Sequence, residues 1–362
     1  MTSTRRIPVA EILKIIVVVI ATVLVEHVVL FNTRARYSLF SDETLIREVN
    51  DRKLKFDYKH ASAVVVKQDR AISTGWNVNT KEESFPAGQT PIYRWDGSGW
   101  NMEHDFCKWT DLPQCVMLNT TAGQTPIYLN DLKRDYWLSA RLSKKQGWES
   151  EHIQLVLDEM KHDPEIGFLD IGSHIGIYTI NIAKTGRKVI AVDILVGNLL
   201  RLCKSIQKGE LTKNVILFFN PLADGHQVMT FRDQGTSAFP EKNKNPASAS
   251  VSPCKESMSF HTATLDDVLP FMTFRRAFIK MDVESFEYKV VKGGRRFFSE
   301  IDVKGILMEW VLQKNAEGKR LVDEMLQLNY VPYNPDGSNN ELNTKNHTSW
   351  PHDVLWRKRQ QK

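Results

Sequence analysis

Residues 167–193 read "GFLDIGSHIGIYTINIAKTGRKVIAVD". "GFLDIG" is an apolar strand that ends in an acid and a glycine. "IGIYTINIAK" carries its apolar residues at helical spacing, and "KVIAVD" is a second strand closing on another acid. Two strands joined through a helix must run parallel, because the crossover returns the chain to the same end of the sheet. Outward from this unit the alternation continues. "NLLRLCKSIQK" reads as a helix and "NVILFF" as a strand. They are followed by "AFIKMD" (strand), "FEYKVVKGGRRFF" (helix), "GILMEW" (strand) and "KRLVDEMLQL" (helix), and then by the late strands "YVPYN" and "DVLWRK". Upstream, "SEHIQLVLDEMKH" places Ile153, Val156, Leu157 and Met160 on one helical face, with Ser150 as its expected N-cap. Strands alternating with helices predict an α/β, doubly wound, mostly parallel sheet covered on both faces. A Ser/Asn/Lys/Pro-rich insertion at 235–258 reads as a mobile loop.

The rest of the chain reads differently. Residues 7–31 hold an uncharged core from Ile15 to Val25, preceded by Arg5-Arg6. No small-residue cleavage site follows it, so the segment is expected to be a single-pass type II signal anchor, with a cleaved signal as the alternative. This puts the bulk of the chain in the lumen of the secretory pathway. Residues 1–31 are then cytosolic tail and anchor, 32–60 a polar stem with a helix expected at 42–53, 61–130 a β-containing accessory region, and 131–362 the α/β domain. "AGQTPIY" occurs at 87–93 and again at 122–128, which suggests two similar turn-then-strand units. Sequons at Asn119 and Asn346 agree with lumenal placement. The cysteines are Cys107, Cys115, Cys203 and Cys254. In an oxidising compartment Cys107–Cys115 is the easiest pair to close, leaving Cys203–Cys254, and the alternative is free buried thiols.

Composition excludes other classes. A chain of 362 residues with 42% hydrophobic and 25% charged residues is globular. The net charge of +5 is dispersed, without a basic stripe interleaved with aromatics, which speaks against nucleic-acid binding. No Cys/His zinc spacing is present.

The candidate site residues lie at strand ends, where parallel sheets bind ligands. Gly172 permits a tight turn after Asp170, and the following helix start offers unpaired N–H groups. A dinucleotide fingerprint would require glycine at 174 and 177; His174 and Ile177 stand there, which disfavours NAD. The spacing D-x-G-x-x-x-G from Asp170 through Gly176 instead suits S-adenosylmethionine, with Asp193 at the next strand end placed to hold both ribose hydroxyls. Ser173 and His174 lie in the same loop; His174 is expected to hydrogen-bond its surroundings. Asp224 stands after the third strand, where an adenine-contacting group or a turn-forming acid belongs. In "AFIKMDVESFEYKVVKGG" (277–294), Lys280, Asp282 and Glu284 share one side if the strand continues, and Glu309 closes the adjacent strand.

"FLDIGSHIGIYTI", "VIAVD", "TLDDVLP", "FIKMDVESFEYKVVKGG" and "ILMEW", in this order, resemble the FkbM family of S-adenosylmethionine-dependent methyltransferases across residues 131–357. The resemblance implies a class I, Rossmann-like methyltransferase fold with a seven-stranded sheet, and O-methylation of sugar or polyketide hydroxyls. Asp170, Gly172 and Gly176 match the family's cofactor loop, and Asp193 its ribose acid. Lys280, Asp282, Glu284 and Glu287 match its signature strand. The family usually has a small or amide residue where His174 stands, and glycine where Ser285 stands. A hydroxyl needs its proton removed as it is methylated, which makes Asp282 or Glu284 the candidate base. Lys280 would balance charge, and Glu309 would orient the acceptor or share the base's role. A divalent metal held by Asp282, Glu284 and Glu309 is permitted but not demanded. Family and compartment together suggest a Golgi enzyme acting on glycans; a small-molecule or lipid acceptor, or a silent binding protein with this fold, are the alternatives.

Overall fold

The computed structural model describes residues 88–108, 114–133, 135–233, 237–240 and 257–359. The expected tail, anchor and stem, the first part of the accessory region and Cys254 lie outside them. Among the described residues no helix is long and apolar enough to cross a membrane.

The chain starts with an edge hairpin, β1 (Ile92–Trp95) and β2 (Trp100–Met102), then a second hairpin, β3 (Cys115–Thr120) and β4 (Gly123–Tyr128). Two helices, α1 (Ser139–Ser143) and α2 (Ser150–Met160), lead into β5 (Ile166–Ile171), α3 (Ile177–Lys184), β6 (Val189–Asp193), α4 (Val196–Lys208) and β7 (Val215–Phe219). After an excursion through β8 (Val228–Asp233), β9 (Ala238–Pro240) and β10 (Ser257–His261) come β11 (Arg276–Met281), α5 (Glu287–Lys292) and α6 (Arg295–Glu300). The series ends with β12 (Asp302–Glu309), α7 (Ala316–Gln327), β13 (Tyr330–Tyr333) and β14 (Asp353–Lys358).

The main sheet is mixed and nine-stranded, in the order β13-β14-β12-β11-β5-β6-β7-β1-β2. It is wider than the seven strands expected, because β1 pairs in parallel with β7 and carries β2 to the edge. Strands from the segment read as an accessory region therefore extend the sheet. Strand order reverses at β5: β6 and β7 lie on one side, β11 and β12 on the other. There Lys280 is in register with Asp170 and Met281 with Ile171. β14 runs antiparallel to both β12 and β13, so its first residue, Asp353, stands opposite the last of β12, Glu309.

Side-chain alternation divides the core between the two faces. Phe168, Val189 and Ala191 pack with α2, α3, α4 and the second hairpin. Leu169, Ile171, Ile190 and Val192 pack on the other side with α5, α6, α7 and the triad Trp310, Trp350 and Trp356. β5 and α3 are buried almost throughout, as a central strand and its crossover helix must be.

Several expectations are corrected. Ser150 is the first residue of α2, and the position before it is Glu149, left-handed at φ 48° with no side-chain cap. The single helix expected over "FEYKVVKGGRRFF" is two, because Asp266 accepts from Arg296 N and Phe297 N and starts α6 afresh. The 235–258 insertion is not wholly loop: β9 and the start of β10 flank β8 in a three-stranded sheet. The disulfide joins Cys107 to Cys203, with Cα atoms 6.0 Å apart, and Cys115 is free. The short turn Phe106–Lys108 packs Cys107 against the core that buries Cys203 on α4, whereas Cys115 pairs with Tyr128 in the hairpin. The two "AGQTPIY" segments do each turn at a left-handed glycine, Gly88 and Gly123, and enter a strand, though in different sheets.

Candidate active site

The turn after β5 is held by backbone geometry. Gly172 has φ +86°, and a Cβ there would stand 1.7 Å from the Asp282 carbonyl oxygen, so only glycine lets the ends of β5 and β11 approach. Gly172 N and Ser173 N both donate to Val192 O at 2.9 Å, which fastens the turn to β6. His174 is left-handed at φ 52°, and its N–H donates to Asp193 Oδ2 at 2.8 Å. Ser173 Oγ and His174 Nδ1 are buried there with no hydrogen-bond partner among the described residues. Burial pushes the His174 pKa down, so its ring is neutral, against the opposing charges of Asp135 and Asp282.

The acids of this turn fall into two groups. Asp170 is 1% exposed, and its Oδ2 accepts from Thr179 N (2.9 Å) and Thr179 Oγ1 (2.5 Å), which brace α3 against β5. Burial raises its pKa to about 6 despite these bonds. Asp193 lies at the end of β6; its Oδ1 accepts from Leu195 N at 2.7 Å, and burial raises its pKa to about 7. Asp224 is engaged elsewhere, accepting from Lys292 Nζ of α5 at 2.9 Å.

The switch point holds a buried ammonium among carboxylates. Lys280, 3% exposed, places Nζ 3.5 Å from Asp282 Oδ2, 3.3 Å from Asp353 Oδ1 and 5.7 Å from the Tyr178 ring centroid. Desolvation opposes its charge, but Asp282, Asp353, Glu149 and Glu309 outweigh it and raise the pKa. Asp353 also takes a hydrogen bond from His352 Nδ1 at 3.0 Å. Burial works against its ionised form, yet these partners hold its pKa down to about 2. Glu309 is pushed the other way, to about 9, by burial and then by the charges of Asp282 and Glu284. At neutral pH it carries its proton and can donate a hydrogen bond.

β11 ends at Met281, so Lys280, Asp282 and Glu284 do not continue as one strand face. Glu284 (φ 52°) and Ser285 (φ 80°) are both left-handed. Burial raises the Glu284 pKa, opposed by a hydrogen bond with Ser237. The glycine that the resemblance implies at 285 would suit this left-handed backbone, where a serine incurs about 1–2 kcal/mol. Glu287 is structural: its Oε1 accepts from Val283 N at 2.9 Å, its Oε2 from Gln313 Nε2, and burial raises its pKa to about 8. Among the described residues, no three His, Cys, Asp or Glu side chains converge as a metal-binding group.

Asp353, His352, Glu149 and Tyr178 were missed by the sequence reading. Asp353 had one available signal, its place at the start of "DVLWRK": once that strand runs antiparallel, its first residue joins the acids at the other strands' ends.

The raised acids have a consequence for stability. A carboxyl whose folded pKa exceeds its unfolded value stabilises fully below the unfolded value and progressively less as pH rises through the folded one. For Glu309 the window runs from about 4.5 to about 9. Glu309→Gln lacks this dependence. Its melting temperature relative to the unsubstituted protein is expected to rise between pH 5 and pH 8, and a difference that stays constant or falls over that window would show that Glu309 does not titrate as described.

The profile of the methyltransferase FkbM domain matches residues 170–333. No curated protein matches the chain. Solved structures similar to it include a precorrin-6y C5,15-methyltransferase from Geobacter metallireducens, at 10% identity and TM-score 0.30 over 56% of this chain and 84% of that one. A putative methyltransferase from Streptococcus mutans in complex with SAH aligns at 13% identity and TM-score 0.32, over 57% of this chain and 97% of that one. A 16S rRNA N2 G1207 methyltransferase from T. thermophilus in complex with AdoMet and guanosine aligns at 10% identity and TM-score 0.37, over 69% of this chain and 52% of that one. The identification rests on the profile and not on these distant likenesses. Residues 170–333, which include the strand reversal at β5 and Lys280, match the methyltransferase FkbM domain.

Proposed function

We infer that the protein is an S-adenosylmethionine-dependent O-methyltransferase acting on sugar hydroxyls of glycans in the secretory pathway. The observation that carries this reading is Asp282, a third exposed, standing beside the buried Lys280 ammonium where the sheet reverses. The cofactor's sulfonium supplies an electrophilic methyl group. The residues present fit it: Asp193 would hold the ribose hydroxyls, and the turn Gly172–Gly176 the amino-acid end. Ser173 Oγ and His174 Nδ1 offer polar atoms that no group among the described residues satisfies.

On the acceptor side, Asp282 takes the hydroxyl proton as the oxygen becomes a nucleophile. Lys280 keeps the cluster's charge balanced before and after that transfer. Protonated Glu309 donates a hydrogen bond that orients the acceptor oxygen, a role distinct from the base. A divalent metal would need acids that are brought closer together.

Support for lumenal placement comes from the apolar segment 7–31, from the exposed sequon asparagines 119 and 346, and from the Cys107–Cys203 bridge, which belongs to an oxidising compartment. The test uses the full chain in detergent micelles: calorimetry with S-adenosylmethionine, then labelled cofactor with glycans, glycopeptides and lipids. Saturable binding and labelled glycans are expected. Absence of cofactor binding would leave a silent binding protein, and label confined to lipids would overturn the glycan assignment. Asp282→Asn is expected to lower turnover about 10²–10⁴-fold with cofactor affinity retained; unchanged turnover would remove Asp282 as the base.

A further inference from the structure

Asn130 and Glu149, which flank the stretch between β4 and α2, are each tied to the site. At one end Asn130 Nδ2 donates to Asn198 Oδ1 at 3.1 Å, and Asn198 in turn hydrogen-bonds Asp193. At the other end Glu149 Oε2 accepts from Tyr178 Oη at 2.6 Å, and Tyr178 lies under the Lys280 ammonium. Between them, residues 135–139 are braced by hydrogen bonds. Asp135 accepts from Leu138 N (3.1 Å) and Ser139 Oγ (2.5 Å), and Ser139 Oγ accepts from Asn130 N at 3.0 Å. Asp135 is buried, and its charge acts on His174.

On this anchored turn stand Tyr136 and Trp137, each 62% exposed, with ring centroids 5.2 Å apart and planes at 70°. Among the described tryptophans Trp137 alone is exposed; Trp148, on the same segment, is covered by Arg141. Core packing, the usual use of tryptophan, therefore does not account for it. Two aromatic faces held at a fixed angle on a braced turn offer an apolar platform that loses little conformational freedom on binding.

We propose that Tyr136 and Trp137 form the acceptor subsite and stack the apolar face of an uncharged sugar ring of the glycan. The proposal rests on the glycan reading above and adds the substrate's class. Neutrality follows from the other wall of the site. Asp282 and Asp353 already share the buried Lys280 ammonium, so a carboxylated or phosphorylated sugar would meet like charge there with that cation engaged.

The test compares the full chain in detergent with its Trp137→Ala, Trp137→Phe and Tyr136→Ala variants. The probes are a glycopeptide ending in neutral hexoses and the same glycopeptide capped with sialic acid. Trp137→Ala is expected to raise the KM for the neutral glycopeptide about tenfold, the equivalent of one lost stacking contact. Trp137→Phe should recover most of that loss, kcat and cofactor Kd should stay as in the unsubstituted protein, and the sialylated probe should be the poorer substrate. Glycopeptide methylation with an unchanged KM in both alanine variants would overturn the subsite while leaving the glycan reading intact. A shift in cofactor Kd in place of KM would mean that the pair covers the cofactor. Preference for the sialylated probe would overturn neutrality. Cofactor binding with no glycopeptide labelled would remove the glycan reading itself, and the subsite with it.

Discussion

Lys280→Met is expected to unfold the protein more easily by about 3–5 kcal/mol, the usual result of removing one partner from a buried ion pair, and to abolish methyl transfer. Lys280 is 3% exposed and is the ammonium shared by Asp282 and Asp353. Without it Asp353, 6% exposed, retains among the described residues His352 at 3.0 Å and His152 at 3.7 Å to balance its charge. Methionine fills the volume, so the loss would be electrostatic and not a cavity. The pH dependence gives a second reading. Asp353, with its folded pKa depressed to about 2, contributes stability above its unfolded value near 3.8, and this is lost as pH falls toward 2. In the methionine variant that folded pKa rises, so the acid-side loss of stability should flatten. Denaturant melts at pH 7 and between pH 2 and 5 measure both. A midpoint that stays within about 1 kcal/mol of the unsubstituted protein would show that the acids do not depend on Lys280.

Gly172→Ala carries the second large effect. A Cβ at 172 would overlap the Asp282 carbonyl oxygen at 1.7 Å, and φ +86° is itself unfavourable for alanine. Because the obstacle is backbone, it cannot rotate away. The strand ends must part, which breaks the bond from Asp282 N to Ile171 O, 2.9 Å in length, and moves Asp282 away from the turn. The expected outcome is a loss of several kcal/mol of stability, in the range of strained-backbone substitutions, with cofactor binding lost as well. Gly123→Ala is the control. Its φ is +100° but nothing lies within 4 Å of the added Cβ, so it reports backbone strain without the clash. Equal destabilisation in the two variants would refute the close approach of β5 and β11 as the reason for Gly172.

Much of the domain was legible because its signals are local. The apolar alternation at 167–193 marks β5, α3 and β6, and the acids Asp170, Asp193 and Glu309 fall at or next to the last residues of β5, β6 and β12, where a parallel sheet binds its ligands. Other features depend on partners far along the chain. Lys280 meets Asp353 across 73 residues, and Cys107 meets Cys203 across 96. Cys115 was nearer in sequence to Cys107, but the packing of the Phe106–Lys108 turn on α4 outweighed that proximity. Glu284 was expected on the strand face because alternation was carried past Met281. The left-handed backbone at 284 and 285 ends that alternation, and a run of residue types does not announce such a turn unless glycine marks it.

The amino-acid sequence by itself determined the α/β alternation, the glycine turn after Asp170, the acids at the strand ends and the family they resemble, all properties of short segments read by periodicity and residue type. Only the tertiary structure decided which charges meet. It brought β14 in antiparallel so that Asp353 reaches Lys280, turned Asp170 inward to brace Thr179, and left Tyr136 and Trp137 exposed. The physical reason is that burial and charge pairing are set by the strand order and direction of the whole sheet, and no window of the sequence contains those.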